Sequence, residues 1–137
     1  MQNGWQKFID TNILIYLEDN DNAIKHSIAI NTIKEVAEAS EGVISNQILA
    51  EFSNQMERTM RVNEINERIA DYQNSFQILI YSVNEIKVAN ELFEDYKIHF
   101  FDALIAATMK NNNVNTIITE NENEFKKIPW ISVINPF

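Results

Sequence analysis

Apolar residues along the chain fall into two alternating rhythms. Short, nearly unbroken apolar runs predict strands over Lys7–Ile9, Val43–Ile44, Gln77–Tyr81, Thr116–Thr119 and Ile131–Ile134. Between them, apolar positions recur every three or four residues, the spacing of one helix face. This predicts helices over Thr11–Leu17, over Asn22–Ala39 with Ile24, Ile28 and Val36 among its apolar positions, and over Asn46–Arg58 with Ile48, Leu49, Phe52 and Met56 on one face. A further helix is expected over Asn63–Asn74. Ser82 and Glu85 have the spacing of a capping box and open a helix running through Asp95. The last helix, Phe101–Lys110, carries Phe101, Ile105 and Met109 on its apolar side. Gly42 stands just past the end of the second long helix. Asn111–Asn113 suits a helix C-terminus, because Asn tolerates the left-handed conformation.

Short apolar strands separated by helices predict an α/β fold, a parallel sheet of about five strands covered by helices on both faces. The 137 residues suit one domain, 1–137, without repeat, low-complexity tract or linker, and only two Gly and two Pro occur. In such sheets ligands bind outside the carboxyl ends of the strands. Asp10 stands at such an end, as does the stretch beginning at Thr119. Ser45 follows the second strand, and Glu51 lies six residues further on, in the next helix.

Composition narrows the chemistry. Hydrophobic residues make up 45% of the chain, enough for one sizeable core. There are no cysteines, which excludes disulfides and thiolate metal sites. The opening MQNGWQKF lacks a basic-plus-apolar leader pattern, and no apolar run approaches the ~18 residues of a membrane span. A soluble, cytoplasmic protein without a membrane partner is expected. The net charge of −9 argues against a passive nucleic-acid binder, since phosphate contacts need Lys and Arg. The acidity serves solubility, or it marks carboxylates that converge and need cations.

Three carboxylates carry that second reading. Asp10 is equally an N-cap for the helix from Thr11. Glu51 sits to one side of the Ile48–Phe52–Met56 stripe and is by itself an ordinary solvated residue. Asp102 projects toward the Ile105–Met109 side of its helix, where a carboxylate is partly desolvated; its place in the first turn eases that cost. If all three meet at one sheet edge, their mutual repulsion calls for a cation. Oxygen donors favour Mg²⁺ or Mn²⁺, and His26 and His99 lack the paired spacing of a zinc site.

Taken together, the segments FIDTNILIYL, SNQILAEF, HFFDALIAATMKNNNVNTIITENENEF and IPWISVINPF resemble a PIN domain of the VapC toxin type, over nearly the whole chain from about Phe8 to Phe137. The resemblance implies a three-layer α/β/α fold and a Mg²⁺- or Mn²⁺-dependent endoribonuclease that leaves a 5′-phosphate and a 3′-hydroxyl. Its acidic residues fall on Asp10, Glu51 and Asp102, which would hold the metal. The fourth catalytic position falls on Asn121, where many relatives have Asp, with Glu120, Glu122 and Glu124 crowded around it and Glu124 next in line. Thr11 would orient the carboxylate of Asp10. The expected partners are an RNA substrate, a cognate antitoxin and a second copy in a homodimer. Two other α/β classes with a strand-end Asp do not fit. A haloacid-dehalogenase-type phosphatase wants a second Asp where Asn12 stands, and a receiver domain wants an acidic pair before its Asp and a late Lys.

Two readings remain beside the toxin: a PIN nuclease of RNA maturation without an antitoxin, and a non-catalytic PIN-like binding module. Arg58, Arg61 and Arg68 are the only arginines. They are either neutralised by Glu57, Glu64 and Glu67 or form a basic arm that meets phosphates beyond the metal site. An antitoxin segment is expected in a groove lined by Ile13, Leu14, Leu17 and Met56.

Overall fold

The computed structural model of the chain describes residues 5–137; the first four residues of the opening read for a leader lie outside them. Five strands form one sheet: β1 (Lys7–Ile9), β2 (Gly42–Ser45), β3 (Gln77–Leu79), β4 (Thr116–Ile118) and β5 (Ser132–Ile134). All are parallel, in the order β3-β2-β1-β4-β5. Phe8 of β1 lies opposite Val43 on one side and Ile117 on the other. Successive strand residues point to opposite faces. Phe8 and Ile9, Val43 and Ile44, and Ile117 and Ile118 are nevertheless all buried, so helices cover both faces of the central strands. This is the expected three-layer α/β/α arrangement. The strand order reverses between β1 and β4, which opens a crevice at their carboxyl ends.

Seven helices connect the strands: α1 (Thr11–Glu18), α2 (Ala23–Glu38), α3 (Asn46–Met56), α4 (Val62–Ser75), α5 (Val83–Tyr96), α6 (Phe100–Asn111) and the short α7 (Glu122–Phe125). α1 packs on α2 and α3, and α5 lies along α6. Phe52 of α3 meets Tyr72 of α4 edge to face at 5.3 Å, a pairing worth about 0.5–1.5 kcal/mol beyond burial alone. The Ser82–Glu85 capping box is present: the Ser82 N–H donates to Glu85 Oε1 at 2.7 Å. The other oxygen of Glu85 accepts from Asn111 and so fastens α5 to α6. No helix among the described residues is long and apolar enough to cross a membrane.

Several local expectations change. Ile24 is 74% exposed, while α2 turns Val36 inward as expected, together with Ala29. The left-handed residue after α2 is Ser40 (φ 55°), not Gly42. Gly42 opens β2, and a Cβ there would stand 2.5 Å from the Phe76 ring and 2.9 Å from Val36. Its role is close approach, not a turn. Asn113 (φ 57°) does take the left-handed conformation after α6. Phe101 lies outside the core, 55% exposed, because the buried side of α6 begins at Ala103.

Candidate active site

β1 leads directly into the first site residue. The Asp10 backbone stays extended, and its N–H donates to the Ile118 carbonyl at 3.0 Å, continuing the β1–β4 pairing for one more residue. The side chain is 6% exposed. Its Oδ1 accepts from the Thr11 N–H at 2.8 Å, and its Oδ2 from the Thr119 hydroxyl at 2.7 Å and the Asn12 amide at 3.2 Å. The helix-capping role therefore exists, but only one of these three bonds performs it. Burial pushes the Asp10 carboxyl above its usual range, the Thr119 and Thr11 bonds work against this, and the charge of Glu51 pushes it further up.

Glu51 projects from α3 and is half-buried. Its Oε1 accepts from the Thr11 hydroxyl at 2.6 Å, and the Gln47 amide approaches Oε2 at 3.5 Å. Thr11 thus orients two carboxylates, Glu51 through its hydroxyl and Asp10 through its backbone, where the sequence pointed to Asp10 alone. Asp102 lies in the first turn of α6 and accepts from the Asn121 amide at 3.3 Å. Its carboxyl is pushed up to about 6, first by burial and then by the negative charges of Asp10, Glu124 and Glu51, against the opposing influence of His99.

The segment after β4 sorts its acidic residues. Glu120 pairs with Lys25 at 2.9 Å, Glu122 with Lys126 at 3.6 Å and Glu124 with Lys127 at 2.8 Å. Glu124 also accepts from the His99 N–H. Asn121, whose N–H donates to the Thr119 hydroxyl oxygen at 2.9 Å, is the residue of this segment that lines the site.

Asp10, Glu51, Asp102 and Asn121 line one open cavity of about 350 Å³ with Asn54 and Gln55 beside them. No lysine or arginine lines it, and none of the three carboxylates joins an ion pair among the described residues. The donors are all oxygens or neutral amides, the set a hard divalent cation prefers. Thr, Asn and Gln side chains hold the carboxylates. Among the described residues no three acidic, His or Cys groups are already gathered around one point. The donor chemistry and the uncompensated negative charge fit a hard divalent cation; His26, which instead meets the Tyr16 carbonyl, has no part in it.

Thr119 and Gln47 are partners the sequence reading did not single out. Thr119 carried a signal, since it follows the strand that pairs with β1. Gln47 stands one helical turn before Glu51, a weaker clue. Three of the four residues expected to line an antitoxin groove are not free to do so, and Leu17 is only partly buried. Ile13 and Leu14 are completely buried and Met56 nearly so, all within the core. The arginines divide differently too. Arg68 bonds Glu18 at 3.0 Å and approaches Asp71 at 3.7 Å, tying α4 to α1, while Arg58 and Arg61 are exposed.

The sequence matches the PIN domain family over residues 7–131. No curated protein matches it in sequence. Among solved structures, it is similar to a chain of a toxin–antitoxin complex from Klebsiella pneumoniae, with 25% identity and a TM-score of 0.71 over 96% of this chain and 98% of that one. It is also similar to a chain of VapBC2 from Rickettsia felis bound to a promoter DNA fragment, with 22% identity and a TM-score of 0.72 over 94% and 97%. A third is VapC20 of Mycobacterium tuberculosis, a toxin that cleaves the sarcin–ricin loop, with 17% identity and a TM-score of 0.65 over 82% and 87%.

Proposed function

The chain belongs to the PIN domain family, and from that premise we propose that it is a Mg²⁺- or Mn²⁺-dependent endoribonuclease, the toxin of a toxin–antitoxin pair. The observation that carries this reading is the cavity at the β1–β4 switch point, lined by Asp10, Glu51 and Asp102 and, among the described residues, by no cationic side chain. These three residues would hold the metal ion. When bound, such an ion polarises a phosphate oxygen and lowers the pKa of a coordinated water.

The chain's own residues set the stage for hydrolysis. Thr119, Asn12 and the Thr11 N–H fix the Asp10 carboxylate, the Thr11 hydroxyl fixes Glu51, and Asn121 fixes Asp102. Fixed carboxylates keep their geometry as charge builds on the phosphate, so little reorganisation is needed in the transition state. Asn121 contributes an amide where a carboxylate would add charge, and acts by steering Asp102. Similarity to toxin–antitoxin complexes supports a protein inhibitor as partner.

The test is cleavage of unstructured and hairpin RNA by the purified chain with Mg²⁺ or Mn²⁺, against chelator and against Asp102→Asn. Metal-dependent cleavage lost in the variant is the expected result. A chain that neither cleaves RNA nor gains thermal stability with Mn²⁺ is a binding module, and the enzymatic reading fails. Cleavage by a chain with no protein inhibitor encoded beside it points to the stand-alone nuclease.

A further inference from the structure

A second concavity of about 300 Å³ adjoins the carboxylate cavity and shares Glu51 and Asn54 with it. Its other walls are Gln47 and Ala50 of α3, Tyr81 just after β3, and Phe101 and Leu104 of α6. Among the described residues, Glu51 is the one charged side chain on its walls. Phe101 is 55% exposed, although every residue from Ala103 to Met109 on the same helix is buried. Its ring is nonetheless braced. Phe100 meets it edge to face at 5.3 Å, and the Gln47 amide donates to its carbonyl at 2.9 Å. Gln47 is itself 5% exposed, and its Oε1 is buried without a hydrogen-bond partner. Buried acceptors are costly to leave unpaired.

We propose that this concavity is a nucleobase subsite: an unpaired base next to the phosphate at the carboxylates stacks on Phe101 beside Tyr81. This rests on the ribonuclease reading and adds the feature that selects where RNA is cut. The walls exclude phosphate as occupant, since no cation is there to receive it. A neutral, flat ring matches an exposed aromatic shelf between uncharged walls. Continuity through Glu51 and Asn54 places that ring beside the reacting phosphate. The charge of the whole chain, −9, points the same way. An acidic chain draws less of its affinity for RNA from cationic contacts, so base stacking carries more of it. Because Gln47 bonds Phe101 and also approaches Glu51 at 3.5 Å, seating a base there bears directly on a carboxylate of the site.

The experiment uses the full chain carrying Asp10→Asn, which binds without cutting, and single-stranded RNAs with one 2-aminopurine moved through successive positions. Stacking should quench its fluorescence at one position. Phe101→Ala should abolish that quench and Phe101→Tyr restore it. In the cleaving chain, Phe101→Ala should lower kcat/KM about tenfold or more and blur the cleavage site. An unchanged quench and an unchanged cut site in Phe101→Ala overturn the subsite. So does light scattering that shows a dimer in the parent and a monomer in Phe101→Ala, since the shelf is then a contact between copies of the chain. Absence of cleavage by the unsubstituted chain with either metal defeats the ribonuclease reading instead, while the quench is still read without catalysis.

Discussion

At the scale of single residues, three carboxylates in one cavity are supported very differently. Asp10 accepts three hydrogen bonds and is nearly sealed from solvent, whereas Asp102 has one amide partner and several negative neighbours. The folded chain therefore holds a proton on Asp102 up to about pH 6, while in the unfolded chain it leaves near the ordinary carboxylate value. Between those values the folded state binds more protons, so stability falls as pH rises through this window and levels off above it. With a chelator present, the stability of Asp102→Asn relative to the unsubstituted chain should increase from about pH 4 to pH 6.5, read from urea midpoints. A difference flat across that range contradicts the crowded-carboxylate picture. In the same way Asp102→Asn should keep or raise the melting temperature at pH 7 while losing cleavage. Thr11→Val removes the hydroxyl that orients Glu51 and should lower metal affinity or cleavage by about 10- to 100-fold, measured by Mn²⁺ titration and by kcat/KM.

The sequence made Asp10 visible as a carboxylate at the carboxyl end of a strand, where ligands bind, and Asp102 as a carboxylate on the partly desolvated side of a helix. Glu51 had no such mark, and only the resemblance to a family singled it out. Among the four neighbouring residues after β4, only the resemblance pointed to Asn121, which lines the cavity; the pairing of the glutamates around it was not legible. It depends on which lysines lie nearby in space, and Lys25 is 95 residues from Glu120.

Among the elements, periodicity located all five strands and every longer helix; the central strands, buried on both faces, leave plain apolar runs, while the edge strands β3 and β5 are partly exposed. It failed where backbone conformation and packing compete for the same residue. Gly42 reads as a helix stop, yet Ser40 takes the left-handed turn and Gly42 admits the Phe76 ring against β2. Gly42→Ala should destabilise the fold by about 1–3 kcal/mol, since both Phe76 and Val36 would have to move. Lys97 takes φ 58° after α5, a conformation that strains a side chain. Lys97→Gly should raise stability by up to about 1 kcal/mol, the left-handed penalty less the added freedom of the unfolded chain. Denaturant unfolding of both variants tests the contrast between a glycine required by space and a lysine tolerated against its backbone preference. Ile24 shows the other limit. Its spacing suits the inward face of α2, but the helix passes its first turn beyond the edge of the core.

For the whole molecule, topology turns local carboxylates into a charge problem. Strands β1 and β4 are distant in sequence and adjacent in the sheet, so Asp10, Thr119 and Asn121 meet only in the folded chain. α3 and α6 then bring Glu51 and Asp102 to the same cavity. An unbalanced negative cavity would accept a metal ion, and it would equally accept a guanidinium. An arginine of a protein inhibitor would neutralise the carboxylates through two bonds at once and supply no activated water. Metal and inhibitor should therefore compete. In the free chain Mn²⁺ should raise the melting temperature, in proportion to ligand excess over its dissociation constant. In the complex with the protein encoded beside it, that rise should shrink and Mg²⁺-dependent cleavage should cease. Replacing the responsible arginine by alanine in the partner should restore the Mn²⁺ response while binding through the rest of the interface persists. A complex that is inactive yet responds to Mn²⁺ as the free chain does would show that inhibition acts away from the carboxylates, by covering the path of the RNA.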